Sequence, residues 1–225
     1  MLEIVLDTET TGLDPLNGDR IVEIGCVELL NHVPTGRTFQ AYINPERAMP
    51  SAASAVHGLT DEFLAKQPLF AEVVGGFLEF IDETPLVIHN ASFDMGFINA
   101  ELVRHGFTAL PQERATDTLM MARRMFPGAP ASLDALCKRF GVDAAGRQLH
   151  GALLDARLLA DVYLELRGGR QPDLAIGAAA NLVESVVEMR TREYRAPRAH
   201  QPTKEEQEAH EAFLAEIKEP LWKRA

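Results

Sequence analysis

The sequence predicts an α/β fold in which a mixed, five-stranded sheet is flanked by helices. The first observation is a run of three strand-like segments near the start, separated by turn residues. The second is that segments with helical periodicity then alternate with two short strand-like segments. The third is an apolar content of 46% in 225 residues, which is enough for a real hydrophobic core.

The predicted elements follow one another with turn residues between them. The opening strands, which we expect to pair antiparallel, cover residues 2–6, 20–29 and 37–43. The short strands that complete the sheet cover residues 86–88 and 115–117. The helices, each with an apolar stripe, cover residues 70–81, 92–105, 118–125, 133–140 and 152–166.

Charge and composition limit the function classes. The formal net charge is −11, which argues against a basic surface that holds long nucleic acid by its phosphates, so any nucleic-acid contact must be local. The sequence has no apolar run of about 18 residues, and its first residues do not resemble a signal peptide. We therefore expect a cytoplasmic protein with no membrane partner. Cys26 and Cys137 lie in apolar patterns and are expected to be reduced core residues.

The composition changes after Gly168-Gly169, and we predict three regions. Residues 1–169 form the compact domain, and residues 170–204 form a flexible linker, because residues 189–204 are basic, contain two prolines and have few apolar side chains. Residues 205–225 form a tail, whose residues 205–222 regain helical character with an apolar side.

Asp7 and Glu9 follow an apolar strand and precede Gly12. Side chains two residues apart on an extended segment point to the same side, so the two carboxylates converge. Two anions held together at a strand end favour a divalent cation between them, and ligands of open α/β sheets bind at such ends. The alternative is an acidic turn that only ends a strand, because the D-x-E pattern is short.

Three further residues could join this site. Asp94 would lie in the first turn of a helix, where the helix dipole favours an acidic residue without any function. Asp155 shares the apolar stripe of the helix over 152–166, where a bare carboxylate is costly and needs a metal or a fixed partner. His150 can share a site with Asp155 only from the loop before that helix, and Gly151 favours this break. The alternative for His150 is a polar loop residue.

Together these residues predict a two-metal phosphodiester hydrolase. Four carboxylates from distant strand and helix ends can hold two ions, which activate a water and stabilise the leaving oxygen. A histidine of near-neutral pKa can deprotonate that water.

Three segments carry a resemblance to a known family. They read Asp-Thr-Glu-Thr-Thr-Gly at 7–12, His-Asn-Ala-Ser-Phe-Asp at 89–94 and His-Gly-Ala-Leu-Leu-Asp-Ala at 150–156. In this order and spacing they resemble the three motifs of the DEDDh 3′–5′ exonucleases, which have an RNase H-like fold. Within that family, the chain from about residue 2 to 169 is similar to the proofreading epsilon-type subunits of bacterial DNA polymerase III.

The resemblance implies roles for individual residues. Asp7, Glu9 and Asp155 would bind two Mg²⁺ or Mn²⁺ ions, Asp94 would complete the second-metal site through water, and His150 would be the general base. The same three metal-binding residues would contact the DNA 3′ end together with Thr10, Thr11, Gly12, Leu13, His57 and Phe93. Five positions before His57, where relatives often carry an acidic residue, this chain has Ala52.

The resemblance also implies partners for the region after residue 169. Gln171, Leu174 and Ile176 resemble a short motif that docks proteins into the bacterial sliding clamp, the beta subunit, although plain linker sequence remains the alternative. The apolar tail residues that would bind the polymerase alpha subunit are Phe213, Leu214, Ile217 and Trp222, although self-association through the same face is the alternative. The sequence does not indicate whether a small accessory subunit also binds. The alternative functions are an RNA-trimming DEDDh exonuclease and a non-catalytic adaptor between clamp and polymerase.

Overall fold

The computed structural model describes residues 1–144, 149–169 and 201–217. The chain divides into two units, Met1–Leu174 and Ala175–Ala225. The clamp-like segment with Gln171, Leu174 and Ile176 lies outside the described residues, as do most of the predicted linker and Trp222.

The first unit is built on one sheet of five strands. These are β1 (Leu2–Thr10), β2 (Ile21–Leu30), β3 (Val33–Tyr42), β4 (Leu86–Ile88) and β5 (Ala115–Asp117). Their order in the sheet is β3-β2-β1-β4-β5. The pairs β1–β2 and β2–β3 are antiparallel, and the pairs β1–β4 and β4–β5 are parallel. The predicted mixed five-stranded sheet is confirmed.

Two strands are longer than the sequence predicts. β1 does not end at Leu6 but continues to Thr10, because its pairing with β2 carries on through Asp7 and Glu9. β3 begins at Val33, because Val33 and Pro34 pair with the end of β2 across a tight hairpin. Backbone partners from another part of the chain extend both strands beyond their apolar patterns.

Among its described residues, the first unit contains seven α-helices. They are α1 (Ser51–His57), α2 (Asp61–Leu64), α3 (Phe70–Ile81), α4 (Ala91–Arg104), α5 (Thr118–Met125), α6 (Leu133–Phe140) and α7 (Ala152–Leu166). The bounds predicted for α3, α5, α6 and α7 are confirmed, and α4 differs by one residue at each end. Helices α1 and α2 are not predicted from the sequence, because they are too short to show an apolar period.

The helices cover the sheet on both sides. Ile4 and Leu6 point to the side where α3 and α4 supply the core partners. Val5 points to the other side, where α6 and α7 do so. Because side chains alternate along a strand, Asp7 and Glu9 continue the Val5 side and meet α7. The fold therefore brings the carboxylates of β1 towards the helix that carries Asp155.

The second unit contains α8 (Lys204–Glu216) within its described residues. The Thr203 hydroxyl accepts from the Glu206 backbone N–H at 3.2 Å, and Glu206 accepts from the Thr203 N–H at 2.8 Å, which is a capping box. The helix ends before Ile217, earlier than predicted, and Pro220 lacks the N–H that would bond the Glu216 carbonyl.

Within the described parts of the chain, no helix combines the length and apolar character that crossing a membrane requires.

Candidate active site

The site begins on the α7 side of β1. Asp7 is half-buried and Glu9 is buried, and both belong to the regular strand rather than to a turn after it. In the antiparallel ladder Asp7 lies opposite Gly25 and Glu9 lies opposite Glu23. The acidic-turn alternative is therefore wrong, because the two carboxylates project from a paired, central strand.

Gly25 allows α7 to approach this strand pair closely. A Cβ atom at Gly25 would lie 2.2 Å from the Leu153 backbone nitrogen and 2.3 Å from the Ala152 carbonyl carbon. The start of α7 therefore rests directly on the backbone of β2, where only glycine leaves room. This contact sets the height of Asp155, one turn into the helix, above the sheet.

His150 stands on the loop before α7, as the break at Gly151 indicates. Its backbone N–H donates to the Val56 carbonyl at 3.1 Å, and its Nδ1 lies 3.1 Å from Asp155 Oδ2. The His150 side chain is 44% exposed, whereas that of Asp155 is 5% exposed. The imidazole therefore faces solvent while the carboxylate that orients it is buried.

Three side chains come together as a group that suits a metal ion. One ligand atom each from Glu9, His150 and Asp155 lies within 4.8 Å of the others. Carboxylate oxygens and an imidazole nitrogen are ligands for divalent cations, so the donor set fits such an ion. Asp7 projects from the same strand side two residues earlier but does not belong to this group of three.

Asp94 lies in the first turn of α4, as predicted, and is only 3% exposed. Its Oδ1 accepts from the Thr8 hydroxyl at 2.7 Å. Burial raises the pKa of Asp94 to about 7, and the hydrogen bond from Thr8 opposes this shift. Thr8 alternates with Asp7 and Glu9 along β1, so Asp94 is tied to the strand from the α4 side and lies outside the group of three.

A cleft of about 590 Å³ adjoins these residues. The sequence-predicted residues that line it are Glu9, Thr10, Thr11, Gly12, Leu13, His57 and Phe93. Asp7 and Asp155 are not among its lining residues. Five other lining residues were not predicted from the sequence, namely Thr8, Asp19, Pro50, Ala53 and Val56. Pro50, Ala53 and Val56 were not predicted because α1, around which they lie, was not predicted. Ala52, the position at which this chain departs from its relatives, also lines the cleft.

Asp19 holds the loop that forms one wall of the cleft. Its carboxylate accepts from the Asp14 N–H at 3.1 Å, the Thr11 hydroxyl at 3.3 Å and Arg47 at 2.8 Å. A Cβ at Gly12 would lie 2.2 Å from Asp19 Oδ2, so the loop closes tightly around this carboxylate. No local pattern identifies Asp19, because its partners are spread from residue 11 to residue 47.

His57 closes the cleft from α1 and is buried. Its Nδ1 accepts from the Leu59 backbone N–H at 3.1 Å, so the neutral ring carries its proton on Nε2. Within the described residues, Nε2 is buried and has no hydrogen-bond partner. Burial lowers the pKa of His57, and the nearby Thr10 backbone partly offsets this. The ring is therefore a neutral donor suited to an oxygen of a ligand.

Comparison with known proteins identifies relatives of this chain. The RNase_T exonuclease family model matches residues 4–163. The DNA polymerase III subunit epsilon of Rickettsia felis is 53% identical over 222 residues, covering 96% of both chains. The subunit of the same name from Escherichia coli is 42% identical over 228 residues, covering 94% of this chain and 91% of that protein.

Solved structures show the same fold. Exonuclease X in complex with 5′ overhanging duplex DNA has a TM-score of 0.58 at 27% identity, over 74% of this chain and 91% of that one. The nuclease domain of 3′hExo, a DEDDh family member bound to rAMP, has a TM-score of 0.64 at 19% identity, over 74% and 92%. The family model and the relatives above show that the chain belongs to the DNA polymerase III subunit epsilon family of metal-dependent 3′–5′ exonucleases.

Proposed function

We propose that this chain removes nucleotides one at a time from a DNA 3′ end as the proofreader of a replicative polymerase, releasing nucleoside 5′-monophosphates. The observation that carries the proposal is the group formed by Glu9, His150 and Asp155 at the edge of a cleft large enough for a terminal nucleotide. A replicative role implies a cytoplasmic location.

The carboxylates would hold two Mg²⁺ or Mn²⁺ ions. Glu9 and Asp155 belong to the observed group, and Asp7 projects from the same strand side. Asp94 would complete the second site through water from the α4 side, where a nearby cation would favour its charged form. Such ions supply Lewis acidity at the scissile phosphate and at the attacking water.

His150 would act as the general base. When the proton sits on Nδ1, this atom donates to Asp155 Oδ2 at 3.1 Å, and Nε2 is the nitrogen that can take a proton. The exposed ring can reach a water at the cleft edge, while the buried Asp155 keeps its orientation. His150 thus works as the general base only in the orientation that Asp155 sets.

The terminal nucleotide would lie between the two walls of the cleft. The backbone from Thr10 to Leu13 would border its sugar and base on one side, and Phe93 would also line this part of the cleft. On the other side the Nε2–H of His57 would donate to an oxygen of the nucleotide. Ala52 also belongs to this wall, at the position where the family resemblance implies an acidic side chain.

Nuclease assays separate this proposal from the two alternatives. The purified chain with Mg²⁺ is incubated with 3′-labelled DNA, paired or mispaired at its terminus, and with RNA of the same sequence. A proofreader degrades mispaired DNA ends faster than paired ones, because a terminus must fray to enter a narrow cleft. Faster degradation of RNA would favour the RNA-trimming enzyme, and no hydrolysis of any substrate would favour the adaptor.

The region after residue 169 would attach the nuclease to its partners. We keep the division into residues 1–169, 170–204 and 205–225, with Gln171, Leu174 and Ile176 as clamp contacts. Replacing these three with Ala should abolish binding to the isolated clamp without changing hydrolysis of single-stranded DNA. Unaltered clamp affinity would mean that this segment is plain linker.

The tail would bind the polymerase alpha subunit through its apolar residues. Phe213 is 60% exposed on α8 and Ile217 is also exposed, whereas Leu214 is buried. Large exposed aromatic side chains are frequent hot spots of interfaces, so Phe213 and Trp222 should contribute most. Deleting the residues after Thr203 should leave an active nuclease that no longer co-migrates with the alpha subunit in gel filtration. A truncated chain that still forms the complex would place the contact elsewhere.

A further inference from the structure

The start of α7 lacks a cap from its own chain segment. Its N-cap residue is Gly151, which has no side chain to accept from the first backbone N–H groups of the helix. A side chain from β2 replaces it. Glu23 Oε2 accepts from the Ala152 backbone N–H at 3.1 Å, and the bond is buried. A residue 129 positions earlier in the sequence therefore caps the helix that carries Asp155.

Glu23 is itself held firmly. It is 2% exposed, and its Oε1 accepts from the Gln40 amide at 2.8 Å. The same amide nitrogen lies 3.1 Å from the Tyr42 hydroxyl, and both residues belong to β3. A buried carboxylate is stable only when its oxygens are satisfied, and here β3 satisfies one oxygen while α7 satisfies the other.

The position of Glu23 links the helix to the metal-binding strand. Glu23 lies opposite Glu9 in the β1–β2 ladder. Asp155 belongs to the first turn of α7, because its N–H donates to the Gly151 carbonyl at 2.8 Å. A shift of Ala152 relative to Glu23 would therefore move Asp155 relative to Glu9. The negative charge of Glu23 also lies at the positive end of the helix dipole, which favours the contact.

We infer that Glu23 is a positioning residue that fixes Asp155 and His150 relative to Glu9 by capping α7 from the sheet. This inference rests on the proposed function of the site as a metal-dependent nuclease. Glu23 acts through the helix, because it lies outside the group of Glu9, His150 and Asp155 and does not line the cleft.

The test compares substitutions that keep or remove the hydrogen-bond acceptor. Glu23→Met keeps the volume and removes both oxygens, whereas Glu23→Gln keeps one oxygen for the Ala152 N–H. Binding of Mn²⁺ alone to the full chain is measured by electron paramagnetic resonance. Loss of residues that orient metal ligands costs on the order of 10- to 100-fold in affinity, so we expect that loss for Glu23→Met and a near wild-type affinity for Glu23→Gln.

Glu3 offers a matched control for general destabilisation. It is a buried carboxylate on the same side of the sheet that also bonds to α7, since Tyr163 donates to its Oε1 at 2.7 Å. Tyr163 lies two turns beyond Asp155, so Glu3→Met should lower the melting temperature and leave the Mn²⁺ affinity unchanged. If Glu23→Met does not fold, Glu23→Asp, which draws the carboxylate back by one methylene, should show the loss instead.

Three results would overturn the inference. They are an unchanged Mn²⁺ affinity in the folded Glu23 variants, an equal loss in Glu3→Met, and a defect in Glu23→Gln as large as in Glu23→Met. Failure of the proposed function is a different observation, because the wild-type chain would then bind Mn²⁺ but hydrolyse no nucleic acid.

Discussion

Gly25→Ala should move the start of α7, with His150 and Asp155, away from Glu9 on the sheet. The substitution does not replace any catalytic group. The new Cβ would lie 2.2 Å from the Leu153 nitrogen, and backbone atoms cannot rotate away as a side chain can. Because ordinary contacts of a Cβ begin near 3.4 Å, α7 and β2 must separate by at least about 1.2 Å. Overpacking of this kind costs about 1–3 kcal/mol of folding stability.

The effect on catalysis should be as large as the effect on stability. A misplacement of about 1 Å costs on the order of 10²-fold in rate, or about 2.7 kcal/mol of transition-state stabilisation. The assay is the kcat for hydrolysis of single-stranded DNA at saturating Mg²⁺, measured well below the melting temperature of the variant. We expect kcat to fall about 100-fold while the circular dichroism spectrum stays that of the wild type.

Gly75 provides the control for this experiment. It lies on the exposed side of α3, where a Cβ would meet no atom within 4 Å. Gly75→Ala should raise stability by about 0.5–1 kcal/mol, because alanine favours helix, and should leave kcat unchanged. If Gly25→Ala keeps the wild-type kcat, the close contact between α7 and β2 does not set the geometry of the site, and our reasoning is wrong.

The remaining predictions concern the site residues themselves. Asp155→Ala should abolish hydrolysis even at saturating Mg²⁺ while the chain stays folded, and measurable turnover would contradict its role as a ligand. His150→Ala should lower the rate on the order of 10²- to 10⁴-fold and remove the histidine limb of the pH–rate profile, whereas an unchanged profile would indicate another base. Burial raises the pKa of Asp94 in the folded chain to about 7, so the folded chain holds this proton more tightly than the unfolded chain. The stability that this contributes to the metal-free chain is fully present below about pH 4 and is lost as the pH rises through about 7. Asp94→Asn should therefore raise the melting temperature of the metal-free chain at pH 8, and a lower value would contradict this.

The sequence predicts those parts of the fold that depend on near neighbours along the chain. The apolar stripes of α3, α6 and α7 repeat every three to four residues, so their bounds follow from the sequence. The end of β1 does not follow from it, because the strand continues past its apolar pattern only through pairing with β2. Short helices such as α1 do not contain enough turns to show a period.

The same distinction holds for the site. Asp155 can be selected from sequence because a carboxylate stands out in the apolar stripe of its helix, whereas Asp94 is selected only through the resemblance of its motif. Glu23, Gly25 and Asp19 cannot, because each acts on a part of the chain that is distant in sequence or spread over many residues. Residues of this kind look like ordinary strand or loop residues until their partners are known.

The position of β1 explains how one strand can organise both sides of the site. It is the central strand, with β2 on one edge and β4 on the other, so its backbone is held from both sides. Glu9 meets the α7 residues on one side of the sheet, and Thr8, the residue before it, binds Asp94 of α4 on the opposite side. Thr8 and Glu9, which are adjacent on the same strand, thus position two different helices, α4 and α7, on opposite sides of the sheet. A change in how α7 sits on β2 should therefore alter the group of Glu9, His150 and Asp155 while the bond between Thr8 and Asp94 survives.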